Sequence, residues 1–259
     1  MLFTNKEKVC KAIYDCNPVN MNGVEKPAFE YGKFIFTSGK IQIFKINHRV
    51  ITSDPKKRRD IVDELTYVAR DWNADHIVSS ESAGIPWGTL VAYELGVGSS
   101  VIRQNGELMG VIPKDVERIC GVDDLNTTYR TLLCVVKGVK SLGADIKNYT
   151  VIVDREEYTP ENEAEFKKLG IKLIPLVTGA ELIDYGLEKG LVRKDKIELI
   201  EQYKKDSDAV VLKIIKENPE WVLNHKRLDR TYEFYKNNDK IKKALEELIE
   251  SDNSKEKTH

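Results

Sequence analysis

The residues of this chain best suited to chemistry lie between positions 118 and 143. A short apolar run at residues 119–122 leads into two adjacent carboxylates, Asp123 and Asp124. A polar turn follows, with Asn126, Thr127, Thr128, Tyr129, Arg130 and Thr131. From residue 132 apolar side chains recur at helical spacing until Gly143, which predicts a helix that begins directly after the turn.

The turn and the predicted helix together form a candidate anion site. The first amides of a helix have no partner within the helix and the helix dipole is positive there, so a phosphate group is stabilised. Asp123 and Asp124 do not favour a phosphate, but their carboxylates accept hydrogen bonds from sugar hydroxyls. The segment therefore predicts a site for a phosphorylated sugar. Taken alone, it fits equally well a surface turn with solvated acids and capping threonines.

Alternating strands and helices surround this segment. Strands are predicted at residues 76–78, 100–103, 119–122, 150–153 and 172–177, with helices between them. Such alternation predicts an α/β fold, a parallel sheet with helices on both faces, in which ligands bind beyond the carboxyl ends of the strands. Four strand ends carry polar residues that we expect to converge: Ser80 and Glu81, Arg103 and Gln104, Asp123 and Asp124, and Asp154 and Arg155.

The remaining segments flank this alternating region. A helix is predicted at residues 5–15, a β-hairpin within residues 28–50, and charged helices at residues 194–204, 209–217, 220–225 and 227–249. We expect an α/β domain over residues 1–190, including the N-terminal segment, a helical extension over residues 191–250, and a disordered tail over residues 251–259.

Composition and charge restrict the kinds of partner. The 259 residues carry 41 basic and 42 acidic side chains, so no overall positive field favours nucleic acid or an anionic membrane. The four cysteines lack the spacing of a zinc site, and we expect ordinary reduced thiols. The sequence contains no signal-peptide pattern and no apolar run long enough to span a membrane, so we expect a cytoplasmic protein.

Four segments, in order along the chain, carry a resemblance to a known family: residues 31–40, 83–86, 122–128 and 151–157. They resemble the motifs of the type I phosphoribosyltransferases, and most closely those of the orotate phosphoribosyltransferases. The resemblance covers residues 28–190. No single segment is specific, but their order and spacing together favour this fold.

The resemblance implies a reaction and a set of site residues. A 5-phosphoribosyl group would pass from phosphoribosyl diphosphate to a pyrimidine-like base, with release of pyrophosphate. Mg²⁺ would bind mainly through the substrate, with no dedicated metal ligand in the protein, and the enzyme would be a homodimer. The implied catalytic residues are Asp123, Asp124 and Arg103. The implied substrate-binding residues are Lys40, Glu81, Ser82, Ala83, Gly84, Asn126, Thr127, Thr128, Tyr129, Arg130, Thr131 and Arg155.

Within this set the resemblance divides the substrate among three places. The 5′-phosphate lies against residues 127–131, the phosphate turn, and the ribose hydroxyls lie on Asp123 and Asp124. The pyrophosphate lies against residues 81–84, the pyrophosphate loop. Arg155 pairs with the carboxylate of an orotate-like base. The alternative for Arg155 is a salt bridge with Glu156, Glu157 or another acid.

The chain departs from the family at several working positions. Tyr129 and Arg130 replace two glycines that permit a positive φ and a close approach to phosphate, which neither replacement does readily. Arg130 could instead contact the phosphate through its own charge. Thr37 replaces a lysine, and the loop after Arg103 lacks the family's lysines and histidine until Lys114. The pyrophosphate loop carries an acid, Glu81.

Three functions fit these observations. The one we predict is a divergent orotate-type phosphoribosyltransferase in which Arg130, Arg103 and Lys114 replace the lost cations. The second is a transferase for another nucleobase, favoured by Glu81. The third is a non-catalytic protein of the same fold that binds phosphoribosyl diphosphate or a nucleotide and regulates another protein.

Overall fold

The structure, a computed structural model, describes residues 4–36 and 38–256, with side chains through residue 251. Thr37, which replaces a lysine of the family, lies outside the described residues. The chain divides into two compact units. The first comprises Met1–Ala28 and Asn47–Lys189, and the second comprises Phe29–Ile46 and Gly190–His259.

The described residues contain eight strands: β1 (Phe29–Ile35), β2 (Ile41–Ile46), β3 (His76–Ser80), β4 (Gly98–Ile102), β5 (Leu108–Met109), β6 (Ile119–Asn126), β7 (Ile146–Asp154) and β8 (Lys172–Thr178). In the first unit, six of them form one sheet in the order β5-β4-β3-β6-β7-β8. All pairings are parallel except that of the short strand β5 with β4. The predicted α/β fold, a mainly parallel sheet flanked by helices, is confirmed.

The helices of the described residues are α1 (Lys6–Tyr14), α2 (His48–Ile51), α3 (Pro55–Asp71), α4 (Ile85–Leu95), α5 (Arg130–Ser141), α6 (Pro160–Leu169), α7 (Gly179–Glu188), α8 (Lys194–Lys205), α9 (Ser207–Glu217), α10 (Pro219–Leu223), α11 (Leu228–Tyr235) and α12 (Asp239–Glu256). Local sequence signals fix several ends. The Asp54 carboxylate accepts hydrogen bonds from the amides of Lys56 and Lys57 and so begins α3. Gly96, with a φ of 69°, ends α4.

Packing of α5 against the sheet positions the phosphate turn. The buried face of this helix includes Leu132, Val136 and Val139, which belong to one apolar cluster with Ile146 and Val151 of β7. Burying side chains of this size contributes roughly 1.5–3 kcal/mol each to the free energy of folding. The helix therefore begins at a fixed place beyond the carboxyl end of β6.

The second unit combines the β1-β2 hairpin with helices α8 to α12. The Tyr235 hydroxyl accepts a hydrogen bond from the Ile41 amide at 3.2 Å, and the Tyr203 hydroxyl donates one to the Gln42 side chain at 2.6 Å. The ring of Phe44 packs edge-on against that of Tyr203. These contacts explain why residues 29–46 group with the C-terminal helices, whereas the sequence assigns them to the domain of residues 1–190.

Three local predictions need correction. The strand predicted to end before Asp123 continues to Asn126, because β6 pairs with β7 along this whole length. The single helix predicted at residues 227–249 is two helices, and the Asn238 side chain accepts the Ile241 amide at 3.2 Å to cap the second. Helix α12 extends to Glu256, into the predicted tail, while residues 257–259 lie outside the described residues.

Within the described part of the chain, no helix combines the length and the apolar composition that a membrane span requires.

Candidate functional site

The site lies at the carboxyl edge of the sheet, where β4, β3, β6 and β7 end side by side. The Glu81 amide donates to the Ile102 carbonyl at 3.0 Å, which joins the ends of β3 and β4. The Asn126 side chain donates to Asp154 at 2.9 Å, which joins the ends of β6 and β7. Adjacent parallel strands thus bring the predicted polar strand ends to one edge, as expected for this sheet class.

Asp123 is buried inside this edge. Its side chain accepts a hydrogen bond from the Tyr149 hydroxyl at 3.2 Å and from the Asp124 amide at 2.9 Å. Tyr149 fits beneath it because Gly121 has no side chain; a Cβ there would lie 2.1 Å from the ring. Burial, and then the negative charge of Asp124, raise the pKa of the Asp123 carboxyl to about 8. Asp123 is therefore mainly protonated at neutral pH.

Asp124 remains partly accessible, with 18% of its side chain exposed, and it contacts the buried His48 of α2. The distance from His48 Nδ1 to the Asp124 carboxylate is 3.5 Å. Burial raises the pKa of Asp124, but the interactions with His48 and Asp123 outweigh it and lower the pKa below its ordinary value. The adjacent pair therefore divides into a neutral, enclosed acid and an ionised, accessible one.

The pyrophosphate loop has a cation beside it that the sequence did not reveal. The exposed guanidinium of Arg49, also on α2, donates to the Ser82 hydroxyl at 3.0 Å. Gly84 lies against the buried carboxyl group of Asp123, and a Cβ at Gly84 would lie 2.4 Å from its oxygen. The peptide bond between Glu81 and Ser82 is cis. Helix α2 therefore makes two contacts in the site. Its Arg49 contacts the pyrophosphate loop, and its His48 contacts Asp124.

The phosphate turn connects β6 to α5 and leaves several amides available. Within the described part of the chain, the amides of Thr127, Thr128, Arg130 and Thr131 have no hydrogen-bond acceptor. The carbonyl groups of this turn are held from outside. The Asn162 side chain donates to the Thr128 carbonyl at 2.8 Å, and the Glu157 amide donates to the Thr127 carbonyl at 3.1 Å.

Tyr129 adopts the conformation that the sequence predicts it would not readily adopt. Its φ of 65° is in the left-handed region, where glycine is normally required. Its ring is buried between two others, 4.1 Å from the ring of Tyr158 and 4.2 Å from the ring of Phe166. This packing explains how a residue other than glycine is held at a positive φ here.

The predicted base-binding residue is engaged with an acid in this structure. The Arg155 guanidinium lies 3.1 Å from the Glu157 carboxylate, and only 1% of its side chain is exposed. This is the alternative that the sequence left open for Arg155. Lys40, also predicted to bind substrate, lies just before β2 in the second unit.

The cations predicted to replace the family's lysines are exposed. Arg103 lies just beyond β4, with its guanidinium 3.7 Å from the Glu107 carboxylate. Arg130 and Lys114 are also exposed. None of the described residues forms a group of three or more histidine, cysteine, aspartate or glutamate side chains suited to hold a metal ion.

Curated relatives identify the family. Over 181 residues the chain is 30% identical to the orotate phosphoribosyltransferase of Staphylothermus marinus, a match that covers 68% of this chain and 87% of the relative. It is 26% identical over 185 residues to the orotate phosphoribosyltransferase of Sulfolobus acidocaldarius, covering 70% and 92%. The chain belongs to the orotate phosphoribosyltransferase family. No family model matches the sequence.

Solved structures agree with this fold. The orotate phosphoribosyltransferase of Aeropyrum pernix superposes with a TM-score of 0.57 at 22% identity, over 70% of this chain and 99% of that one. That of Mycobacterium tuberculosis, solved with 5-phospho-α-D-ribosyl 1-diphosphate, superposes with a TM-score of 0.53 at 17% identity, over 68% and 98%. The predicted resemblance to type I phosphoribosyltransferases is confirmed.

Sequence reasoning missed His48 and Arg49 because they lie in a four-residue helix without a motif. It also missed the partners of Tyr129, since Tyr158 and Phe166 lie in a later connection and helix.

Proposed function

We propose that the protein transfers a 5-phosphoribosyl group from phosphoribosyl diphosphate to an orotate-like pyrimidine base and releases pyrophosphate. The observation that carries this proposal is the juxtaposition on one chain segment of an accessible, ionised Asp124 and a phosphate turn with available amides. A sugar phosphate needs these two features side by side, one for its hydroxyls and one for its phosphate. Family membership supports the reaction class.

The ribose 5-phosphate part of the substrate binds at the phosphate turn. Its phosphate accepts hydrogen bonds from the available amides at the start of α5, where the helix dipole adds favourable charge. Asp124 accepts hydrogen bonds from the ribose hydroxyls. Asp123 supports it from below, since the Asp124 amide donates to the Asp123 carboxyl at 2.9 Å.

The pyrophosphate part binds at residues 81–84, with Arg49 as the nearest cation. By its position, Arg49 replaces part of the positive charge that the family places in the loop after Arg103. Asp124 and Glu81 are partly accessible carboxylates, a donor set that fits Mg²⁺ carried in by the substrate rather than held in a protein cage. When bound, Mg²⁺ neutralises charge on the pyrophosphate.

The reaction is a displacement at the anomeric carbon of the ribose. The bond from that carbon to a pyrophosphate oxygen breaks and its electron pair leaves with the oxygen, while a ring nitrogen of the base forms the new bond and its proton passes to solvent. Positive charge develops on the ribose ring as the leaving group departs, and the negative charge of Asp124 next to the ribose stabilises it. Arg49 stabilises the departing pyrophosphate.

The base binds near Arg155, whose guanidinium pairs with the orotate carboxylate in exchange for Glu157. A bidentate pair between arginine and a carboxylate is stronger than a single hydrogen bond and selects for that group. The present pair with Glu157 favours one second candidate, a transferase for a base without a carboxylate, because such a base leaves this ion pair intact. In this proposal the protein acts in the cytoplasm as a homodimer. Sedimentation equilibrium tests the dimer by measuring the mass of the assembly.

Calorimetry tests the proposal directly. The full-length protein is titrated with phosphoribosyl diphosphate and Mg²⁺, and orotate is then added to the same sample while pyrophosphate is measured. Binding followed by release supports the transferase. If phosphoribosyl diphosphate binds and pyrophosphate is released with another base but not with orotate, the result supports the second candidate. If phosphoribosyl diphosphate does not bind, the result contradicts both candidates.

A further inference from the structure

The phosphate turn has a bulky residue at a position of positive φ, and the structure explains how it is held there. Tyr129 has a φ of 65° at the N-terminus of α5. A non-glycine residue in this region normally costs about 1–2 kcal/mol. Something in the surroundings must therefore offset this cost.

Two flanking rings provide the first support. The Tyr129 ring stacks on that of Tyr158 at an interplanar angle of 16° and on that of Phe166 at 6°, so it is enclosed on both faces. Only 6% of Tyr129 is exposed. We call Tyr129, Tyr158 and Phe166 the aromatic clamp. Glycine at position 129 could not form it.

A hydrogen-bond circuit provides the second support. The Tyr129 amide donates to the Asn126 side chain at 3.2 Å, and Asn126 donates to Asp154 at 2.9 Å. The Tyr158 hydroxyl donates to the other oxygen of Asp154 at 2.6 Å. The circuit closes where the Tyr158 ring stacks on the Tyr129 ring. Backbone and side chain of Tyr129 are thus fixed by the same neighbours.

The conformation of Tyr129 determines where the turn's amides lie. Helix α5 starts its hydrogen-bond ladder at this residue, since the Leu133 amide donates to the Tyr129 carbonyl at 2.8 Å. With the Tyr129 amide used by Asn126, the amides of its neighbours in the turn stay without acceptors in the described part of the chain. A change of φ at position 129 would rotate these amides relative to β6.

We infer that Tyr129 is a positioning residue for the 5′-phosphate: its ring, held in the aromatic clamp, keeps the phosphate turn in the left-handed conformation that a glycine would otherwise provide. The inference rests on the proposed function for the identity of the ligand. The clamp itself rests only on the geometry of residues 126–166. Tyr129, Tyr158 and Phe166 need not touch the substrate.

The test compares three substitutions at position 129 in the full-length protein, with ribose 5-phosphate as the calorimetric probe. Tyr129→Phe keeps the ring and should bind within about twofold of the wild type. Tyr129→Gly loses the ring but reaches positive φ without strain, and it should bind within about threefold. Tyr129→Ala loses the ring and keeps the strain, and it should bind about 5- to 30-fold more weakly.

Controls separate positioning from general stability. Tyr185→Ala removes a ring from another aromatic pair of the first unit, 5.8 Å from Tyr14, and should leave affinity unchanged. Thermal unfolding of each variant is measured in parallel. Tyr129→Gly should unfold below the wild type yet bind like it, a separation that a merely structural role does not produce. In turnover, Tyr129→Ala should raise KM for phosphoribosyl diphosphate more than it lowers kcat.

Equal affinity of the glycine and alanine variants would overturn the inference, because strain at position 129 would then not matter to the ligand. If the wild type does not bind ribose 5-phosphate, the proposed function fails rather than the clamp. Unfolding then decides the clamp alone: Tyr129→Gly should be more stable than Tyr129→Ala, and the reverse order would overturn it.

Discussion

The phosphate turn loses glycines and the pyrophosphate side loses lysines, and the structure accommodates the two losses by different means. In the turn, the lost backbone freedom of Tyr129 is offset by packing between Tyr158 and Phe166. On the pyrophosphate side, we propose that exposed cations offset part of the lost charge, and one of them, Arg49, contacts the loop. Packing fixes the backbone conformation at position 129, whereas an exposed charge is screened by water and contributes less.

This difference predicts an asymmetric enzyme. The sugar-phosphate half of the site should bind ribose 5-phosphate with an affinity ordinary for such a site. The pyrophosphate half should bind pyrophosphate weakly, and this affinity should fall as the salt concentration rises.

Replacing the accessible carboxylate should have the largest effect. Asp124→Asn should lower kcat/KM for phosphoribosyl diphosphate by about 100-fold, since hydrogen bonds to a charged group are worth about 1.5–3 kcal/mol. Steady-state kinetics measures this, with exposed Asp115→Asn as the matched control. An unchanged kcat/KM in Asp124→Asn would remove the carboxylate from the site.

Adding a side chain at Gly84, which lies against Asp123, should destabilise the fold where the two halves of the site meet. Gly84→Ala places a Cβ 2.4 Å from the Asp123 carboxyl oxygen and should lower the free energy of unfolding by about 1–3 kcal/mol. Urea denaturation measures it. Gly179→Ala is the control, because its Cβ would meet the nearest atom at 3.5 Å. Equal stability of the two variants would mean that Gly84 is not needed for close approach.

Removing the cation of α2 should affect the pyrophosphate half alone. Arg49→Ala should weaken pyrophosphate inhibition by about 5-fold and leave ribose 5-phosphate affinity unchanged, because an exposed charged contact is worth at most about 1 kcal/mol. Exposed Arg70→Ala serves as the control. A loss of ribose 5-phosphate affinity in Arg49→Ala would contradict the division of the site. High salt should reduce the difference between wild type and variant.

The buried acid should make stability depend on pH. Because the pKa of Asp123 is raised to about 8 in the folded protein, the folded state holds a proton that the unfolded state loses above its ordinary pKa. The stability that this proton contributes is fully present below the ordinary pKa of 3.8 and is lost as the pH rises toward 8. Stability relative to Asp123→Asn should therefore fall by about 1 kcal/mol per pH unit between pH 5 and 7. A flat difference would show that Asp123 is ionised throughout.

Much of the fold followed from the sequence, because its signals are local. Periodic apolar residues, with proline and glycine at their ends, predicted helices between the strands, and α4 is one of these helices. The polar strand ends predicted the edge at which Asn126 and Asp154 meet. Such inferences succeed because strand and helix periods and the direction of parallel strands constrain where side chains lie.

The parts that could not be predicted depend on contacts between distant positions. Tyr129 looked unsuitable because its supports, Tyr158 and Phe166, are far along the chain. His48 was invisible as the partner of Asp124 for the same reason. The grouping of residues 29–46 with the C-terminal helices depends on side chains such as Tyr235, more than 190 positions from Ile41.

Identifying the nucleotide product shows whether the protein transfers the phosphoribosyl group to orotate. The protein is incubated with phosphoribosyl diphosphate, Mg²⁺ and a mixture of orotate, uracil, adenine and hypoxanthine, and the nucleotides formed are resolved by mass spectrometry. We predict orotidine 5′-monophosphate as the main product, with equimolar pyrophosphate and about 100-fold less of both from Asp124→Asn. Formation of a purine nucleotide instead, or of no nucleotide by a protein that still binds phosphoribosyl diphosphate, would contradict the proposed function.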